Sequence, residues 1–237
     1  AKNFQDVLVV SSRNQYGELL DILQNSRGEV SLEERRRFAI RAFDVSSHYD
    51  TAIYQYFSRE IELPSFKQSI PSGTPLRYGE NPHQKGYFYG DFDKMFEKLN
   101  GKEISYNNLL DIDAAVNLIS DFEETSVAII KHNNACGFAS RTNLVQAWKD
   151  ALAGDPVSAY GGVIIANRRI DALTASEMDK IFFEVMIAPG YDEEALAILR
   201  GKKNRIILAM QSILLQDKQF RTVLNGVLVQ DRDKHIE

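Results

Sequence analysis

The sequence predicts an α/β protein, on three observations. Short apolar, β-branched runs recur at Val127-Ala-Ile-Ile130, Val163-Ile-Ile-Ala166 and Arg205-Ile-Ile-Leu208, the pattern of strands buried on both faces. Segments with apolar residues at helical spacing alternate with them, the order that layers helices on a sheet. Polar and glycine-containing stretches follow or precede these runs, where α/β proteins place ligands. At 237 residues and 44% hydrophobic, the chain can bury a sizeable core in one large or two small domains.

Taken in order, Asp6 to Val10 reads as an apolar strand, and Ser11 to Tyr16 as a polar connector into a helix from about Gly17 to Gln24. Ser31 stands three residues before Glu34, a capping-box pattern that satisfies orphan amides at a helix start. It opens a long amphipathic helix with Leu32, Phe38, Ala39, Ala42, Phe43 and Val45 on its apolar side, continuing through Tyr49, Ile53 and Phe57. His48 inside it reads as a packing or surface histidine. Glu62 to Pro75, with Pro64, Pro71, Gly73 and Pro75 and little periodicity, reads as a linker or domain crossing. The expected organisation is therefore one domain over 1–63 and another over 64–237. Beyond it, Gly86 to Tyr89 predicts a strand, Phe92 to Leu99 a helix, Asn100-Gly101 a turn, and Asn107 to Phe122 a helix leading into the 127–130 strand. Further helices are expected at 143–153, 174–184 and 192–199, with strands at 163–166, 185–191, 205–208 and 223–229.

Chemistry concentrates in three places. Val127-Ala-Ile-Ile130 breaks off into Lys131, His132, Asn133 and Asn134. An imidazole titrates near neutral pH, so a Lys-His pair at a strand end can combine proton transfer with charge stabilisation. Asn133 and Asn134 tolerate left-handed backbone and Gly137 lets the chain approach a ligand closely, which predicts a turn with amides facing a cleft. A surface Lys-His pair in an ordinary loop is the alternative. Leu76-Arg-Tyr-Gly-Glu-Asn-Pro-His-Gln84 is a dense polar loop, and the planar fork of Arg77 suits a phosphate or carboxylate. The alternative there is a polar turn whose side chains satisfy nearby backbone. Asp155-Pro-Val-Ser-Ala-Tyr-Gly-Gly162 precedes a buried strand, its glycine pair permitting close backbone approach.

Composition excludes other classes. The formal charge of -5 and pI near 5.5 leave no polybasic footprint for nucleic acid or an anionic membrane. No apolar run has the length of a membrane span, and the start Ala1-Lys-Asn-Phe lacks a signal peptide's apolar core. The absence of an initiator Met suggests a processed or truncated start. Cys136 is the single cysteine, which rules out an intrachain disulfide framework or a multi-cysteine zinc site and makes a reducing, cytoplasmic setting the expectation. Between Ala135 and Gly137, it reads as a small buried thiol rather than a nucleophile.

Four segments in one order, Leu76 to Gln84, Lys131-His-Asn-Asn-Ala-Cys-Gly137, Asp155 to Gly162 and Ile187-Ala-Pro-Gly-Tyr191, resemble the family that combines AICAR transformylase with IMP cyclohydrolase in purine biosynthesis. The resemblance covers nearly the whole chain. It implies a mixed sheet flanked by helices in a cytidine-deaminase-like formyltransferase subdomain, preceded by the C-terminal remnant of a cyclohydrolase domain. It also implies formyl transfer from the co-substrate 10-formyltetrahydrofolate to the 5-amino group of AICAR, with His132 moving the proton and Lys131 stabilising the transition state. Arg77, Tyr78 and the backbone of Gly190 would contact the nucleotide, and Lys2 would belong to a cyclohydrolase site. No metal is implied. By the same resemblance the protein is an intertwined homodimer, and this chain is the central part of a longer one, incomplete for either reaction alone. One departure is that Asn134-Ala-Cys-Gly137 stands where the family commonly has Pro before its small residue, which predicts a differently shaped loop.

Two further function classes compete. A non-catalytic purine-nucleotide-binding or dimerisation module would keep the Arg77 loop without turnover. A zinc nucleoside deaminase shares the expected layering but needs cysteine ligands that the chain lacks.

Overall fold

The computed structural model describes residues 1–61, 64–213 and 215–233. The chain divides into two compact units, Ala1–Gly73 and Thr74–Glu237. The expected boundary at 63/64 falls on Leu63, outside the described residues.

The first unit is helical. A single 3-10 turn, Arg13–Gln15, leads into α1 (Tyr16–Asn25), and α2 spans Leu32–Phe57. The capping box forms: Ser31 N–H donates to Glu34 Oε2 at 2.7 Å, and Glu34 N–H donates to Ser31 Oγ at 3.2 Å. Phe38, Ala39 and Ala42 are the buried face of α2, whereas Leu32, Phe43 and Val45, expected beside them, are exposed. Burying Phe38 alone is worth about 1.5–3 kcal/mol. Glu18 of α1 pairs with Arg37 and Arg41 of α2 at the surface. His48 shares a 3.0 Å hydrogen bond with Ser69 Oγ, the ordinary packing role. The expected 6–10 strand does not form, since Val7–Val10 has no ladder partner among the described residues. A strand exists only where a neighbour takes its backbone groups.

The second unit is built on a mixed six-stranded sheet flanked by helices. In chain order it contains β1 (Gly73–Leu76), β2 (Gly86–Tyr89), β3 (Phe96–Asn100), α3 (Tyr106–Ile119), β4 (Ser126–Lys131), β5 (Asn134–Ser140), α4 (Leu144–Gly154), β6 (Val163–Ala166), α5 (Ala172–Met178), β7 (Val185–Ala188), α6 (Glu193–Arg200), β8 (Ile206–Met210), β9 (Lys218–Val223) and β10 (Gly226–Asp231). The main sheet runs β3-β8-β7-β6-β4-β5; β6, β7 and β8 are parallel, and the remaining pairs are antiparallel. Strands β1 and β2 form a separate ribbon, as do β9 and β10.

Alternate residues of the central strands enter two cores. Val127, Ile129, Ile164, Met186 and Ile207 pack under α4, α5 and α6, centred on fully buried Trp148. Ala128, Ile130, Val163, Ile165, Val185, Ile187, Ile206 and Leu208 pack on the other face under Ile112, Ala115, Val116 and Ile119 of α3. Both faces are covered, so these strands read as unbroken apolar runs.

Several elements differ from expectation. Only Phe92–Lys94 of the expected 92–99 helix is helical, a 3-10 turn, and Phe96–Asn100 is instead the edge strand antiparallel to β8. Phe92 and Phe96 have helical spacing, but the free edge of β8 offers hydrogen bonds that a local periodicity cannot anticipate. Helix α5 stops at Met178 rather than 184, because the chain must return to the start of β7. The single late strand expected at 223–229 straddles a hairpin turn at Leu224-Asn225, with Leu224 at φ 50°. The Asn225-Gly226 pair was the signal for that reversal. Strand 127–130 does not lead through a loop to α4; it pairs back with β5.

Candidate active site

The end of β4 is a tight reversal. Lys131 pairs with Asn134, leaving His132 and Asn133 as a two-residue hairpin loop with φ of 52° and 64°. Left-handed backbone at both positions is type I′ geometry, whose twist matches the flanking strands. Neither residue is glycine, so each position costs on the order of 1 kcal/mol or more. Both polar groups of the peptide between them are held. Asn134 Nδ2 donates to the His132 carbonyl at 2.9 Å, and the Asn133 N–H donates to Asp111 Oδ1 of α3 at 2.6 Å. A hydrogen bond to a charged acceptor contributes about 1.5–3 kcal/mol, enough to offset the strain.

The imidazole of His132 is exposed and Lys131 is half-buried. Lys131 Nζ donates to the Tyr160 carbonyl at 2.7 Å, which aims the ammonium along the cleft edge. Tyr160 is placed by the Asp155 turn, where the Ser158 N–H and Oγ–H both donate to the Asp155 carboxylate at 2.9 and 2.6 Å. Those bonds, the Ser158 hydroxyl foremost, hold the Asp155 carboxyl below its usual range. The glycine pair has two distinct reasons: Gly161 adopts φ 77°, and a Cβ on Gly162 would lie 2.9 Å from the Ile130 carbonyl. Glycine there lets the 155–162 loop lie against the end of β4.

Lys131, His132, Asn134, Ala135, Cys136 and Ser158 line a cleft of about 360 Å³, within the range of small-molecule sites. Cys136 is the extra residue of a β-bulge, since Ile129 faces Gly137 while Ile130 faces Ala135. Its Sγ–H points to the Ile129 carbonyl at 3.5 Å. Burial pushes the thiol up from its ordinary range, with the Asp155 charge adding a smaller push the same way. Iodoacetamide should therefore alkylate Cys136 more slowly than a free thiol at pH 8, with the rate still rising above the usual thiol pKa. A free-thiol rate at pH 8, read by mass spectrometry, would contradict the thiol's placement. Gly137, expected to serve ligand approach, instead serves packing: its Cα faces the Ala151 carbonyl of α4.

The Arg77 loop is closed by Gly79 N–H to the Gln84 carbonyl at 2.7 Å and by Asn81 N–H to Gln84 Oε1 at 2.8 Å. Asn81 and Gln84 thus behave as turn residues. Arg77 is exposed and lies over the Tyr78 ring at 5.6 Å, and among the described residues no carboxylate pairs with it. The loop is tied to α3 where Asn107 Nδ2 donates to the Glu80 carbonyl at 3.3 Å.

Gly190 is not part of this constellation. The Lys131 end of β4 adjoins the N-terminal ends of β6 and β7, because Ile130 faces Val163 and Val163 faces Val185. Gly190 follows the other end of β7, about 16 Å along the strand at 3.3 Å per residue. Its carbonyl accepts from Ile170 N–H at 3.0 Å. Neighbouring Tyr191 is buried, its hydroxyl donating toward the Met186 and Leu208 carbonyls, and burial raises its pKa well above the ordinary phenol value. Lys2 is exposed in a turn of the first unit. Sequence reasoning missed Asp111 and Asn107; their signal was two polar residues four apart, on a helix that also carries Asn108, Asp113 and Asn117 and so does not single them out.

Among the described residues no group of three or more His, Cys, Asp or Glu is arranged to hold a metal ion, and no helix is long and apolar enough to cross a membrane.

Fold and cleft together define an α/β protein with a cation and an imidazole on a strained hairpin at a sheet edge. The chain belongs to the AICARFT/IMPCHase bienzyme family, whose model matches residues 1–237. It is 60% identical over 237 residues to the bifunctional purine biosynthesis protein PurH of Bacteroides thetaiotaomicron, covering 100% of this chain and 46% of that relative. To the protein of the same name from Chloroflexus aurantiacus it is 45% identical over 238 residues, covering 98% of this chain and 46% of the relative. The chain thus spans about half the length of the curated relatives it matches.

Proposed function

We propose that this chain is the central part of a full-length bienzyme of de novo purine biosynthesis, and that the Lys131-His132 cleft carries formyl transfer from 10-formyltetrahydrofolate to the 5-amino group of AICAR. The observation that carries the reading is the pairing of family membership with a braced Lys-His turn on a ligand-sized cleft. An aromatic amine conjugated to a carboxamide is a poor nucleophile, so His132 takes its proton as nitrogen attacks the formyl carbon. Lys131 keeps further N–H donors beyond the one on Tyr160 and stabilises the developing oxyanion. The new C–N bond forms, the bond to the folate nitrogen breaks, and that nitrogen takes up the proton released by His132 and leaves as tetrahydrofolate.

Arg77 and Tyr78 bind the nucleotide in this reading, and Gly190 comes from a second copy of the chain in a homodimer. Support for that last point is the distance between Gly190 and His132 along one sheet. Lys2 belongs to an IMP cyclohydrolase site, the first unit being the remnant of that domain and the second the start of a cytidine-deaminase-like transformylase domain. The setting is cytoplasmic, with neither nucleic acid nor membrane as partner.

Purified full-length enzyme should form formyl-AICAR from the two substrates. Binding of AICAR without turnover would favour a non-catalytic nucleotide-binding or dimerisation module instead. Arg77→Ala should weaken AICAR binding at least tenfold while folate binding shifts only a few-fold, the loss of a charge-assisted bond being about 1.5–3 kcal/mol. Calorimetric titration showing equal loss for both ligands would assign Arg77 a structural role.

A further inference from the structure

We infer that Asp111 is a positioning residue for formyl transfer, acting through the peptide that joins His132 to Asn133; the inference rests on the reading of His132 given above. In a two-residue hairpin loop, the carbonyl of the first residue and the N–H of the second belong to one peptide plane, and neither is used by the strand ladder. Here that plane is gripped at both ends, by Asn134 Nδ2 on the His132 carbonyl at 2.9 Å and by Asp111 Oδ1 on the Asn133 N–H at 2.6 Å. Its orientation sets ψ of His132 and φ of Asn133, the two torsions that hold the left-handed turn. The aim of the His132 side chain follows from them.

Asn134 belongs to the hairpin itself and moves with it. Asp111 does not: it stands on α3, whose buried face of Ile112, Ala115, Val116 and Ile119 is locked to the sheet. One helical turn earlier, Asn107 holds the Glu80 carbonyl of the Arg77 loop. Residues four apart lie on one helix face, so a single rigid edge of α3 fixes both the turn that bears the imidazole and the loop that bears Arg77. The spacing between proton acceptor and anion site is set there, and rate depends steeply on such spacing.

The test is a mutant cycle in the full-length enzyme. Asp111 is half-buried and alanine is a better helix former, so Asp111→Ala keeps the fold. It should lower kcat for formyl transfer by roughly 10- to 100-fold with KM for AICAR within a few-fold. Asp111→Asn keeps an acceptor oxygen at the same place and should recover most of that loss. In a His132→Ala background, Asp111→Ala should cost no more than about twofold, because the group it positions is gone. Deuterium exchange over residues 131–136 should quicken in Asp111→Ala whatever the activity. An equal kcat loss with His132 present or absent, an Asp111→Asn variant as slow as Asp111→Ala, or unchanged exchange would each overturn the inference. Full activity of His132→Ala would instead overturn the reading of His132, which the exchange measurement does not depend on.

Discussion

Replacing His132 by Ala in the full-length enzyme should lower kcat for formyl transfer by roughly 10²–10⁴, the usual cost of losing a general base, while AICAR binding stays within a few-fold. The side chain is exposed and takes no part in the cores, so its removal leaves packing untouched. The strained backbone at residue 132 is held through its peptide groups, which alanine retains. Alanine is also less at ease at φ 52° than histidine, so a small loss of stability accompanies the catalytic loss. Lys131→Ala should likewise act on kcat. Lys131→Arg keeps the charge but spreads it over a planar fork, and the Tyr160 carbonyl at 2.7 Å was positioned for a point donor, so rescue should be partial. Single-turnover kinetics separates these outcomes from slow product release. An unfolded His132→Ala protein would return His132 to a structural role, and a fully active one would remove it from the mechanism.

Gly137→Ala should cost the second unit about 3 kcal/mol or more, an overpacking effect at the upper end of its range. A Cβ at this position would lie 2.1 Å from the Ala151 carbonyl oxygen and 2.9 Å from its carbon. Both belong to the backbone of α4, whose Trp148 and Ala147 are fixed in the core, so the helix cannot yield without opening that core. For a unit of this size the loss corresponds to a fall of roughly 6–12 °C in the unfolding midpoint, measurable by calorimetry. Because the bulged Cys136 is its neighbour, the same change should disturb the cleft wall. Unaltered stability in Gly137→Ala would mean that β5 and α4 do not approach as closely as the structure has them.

The contrast between these residues shows how much of the site was legible. Lys131 and His132 stood out because a five-residue buried stretch of β4 ends on them, and polar residues at the end of an apolar run are visible in one dimension. Arg77 stood out for its crowded polar company. Gly137 was visible as a glycine but not for its reason, since nothing local says that a helix backbone fourteen residues later will pass over it. Gly190 was placed among the nucleotide contacts by the family resemblance alone, and strand polarity, which puts it at the opposite end of the strands from His132, is absent from a linear pattern.

By itself the sequence determined the α/β class, the buried strands β4, β6, β7 and β8, and the cap of α2. Each follows from local chemistry: two covered faces demand unbroken apolar runs, and Ser31 with Glu34 satisfies amides three residues apart. Only the tertiary structure decided that Phe96–Asn100 is an edge strand, that β4 folds back on β5, and that Asp111 of α3 holds the turn bearing His132. Strand pairing and register are contacts between distant residues, and their energies depend on what the rest of the chain has already placed nearby.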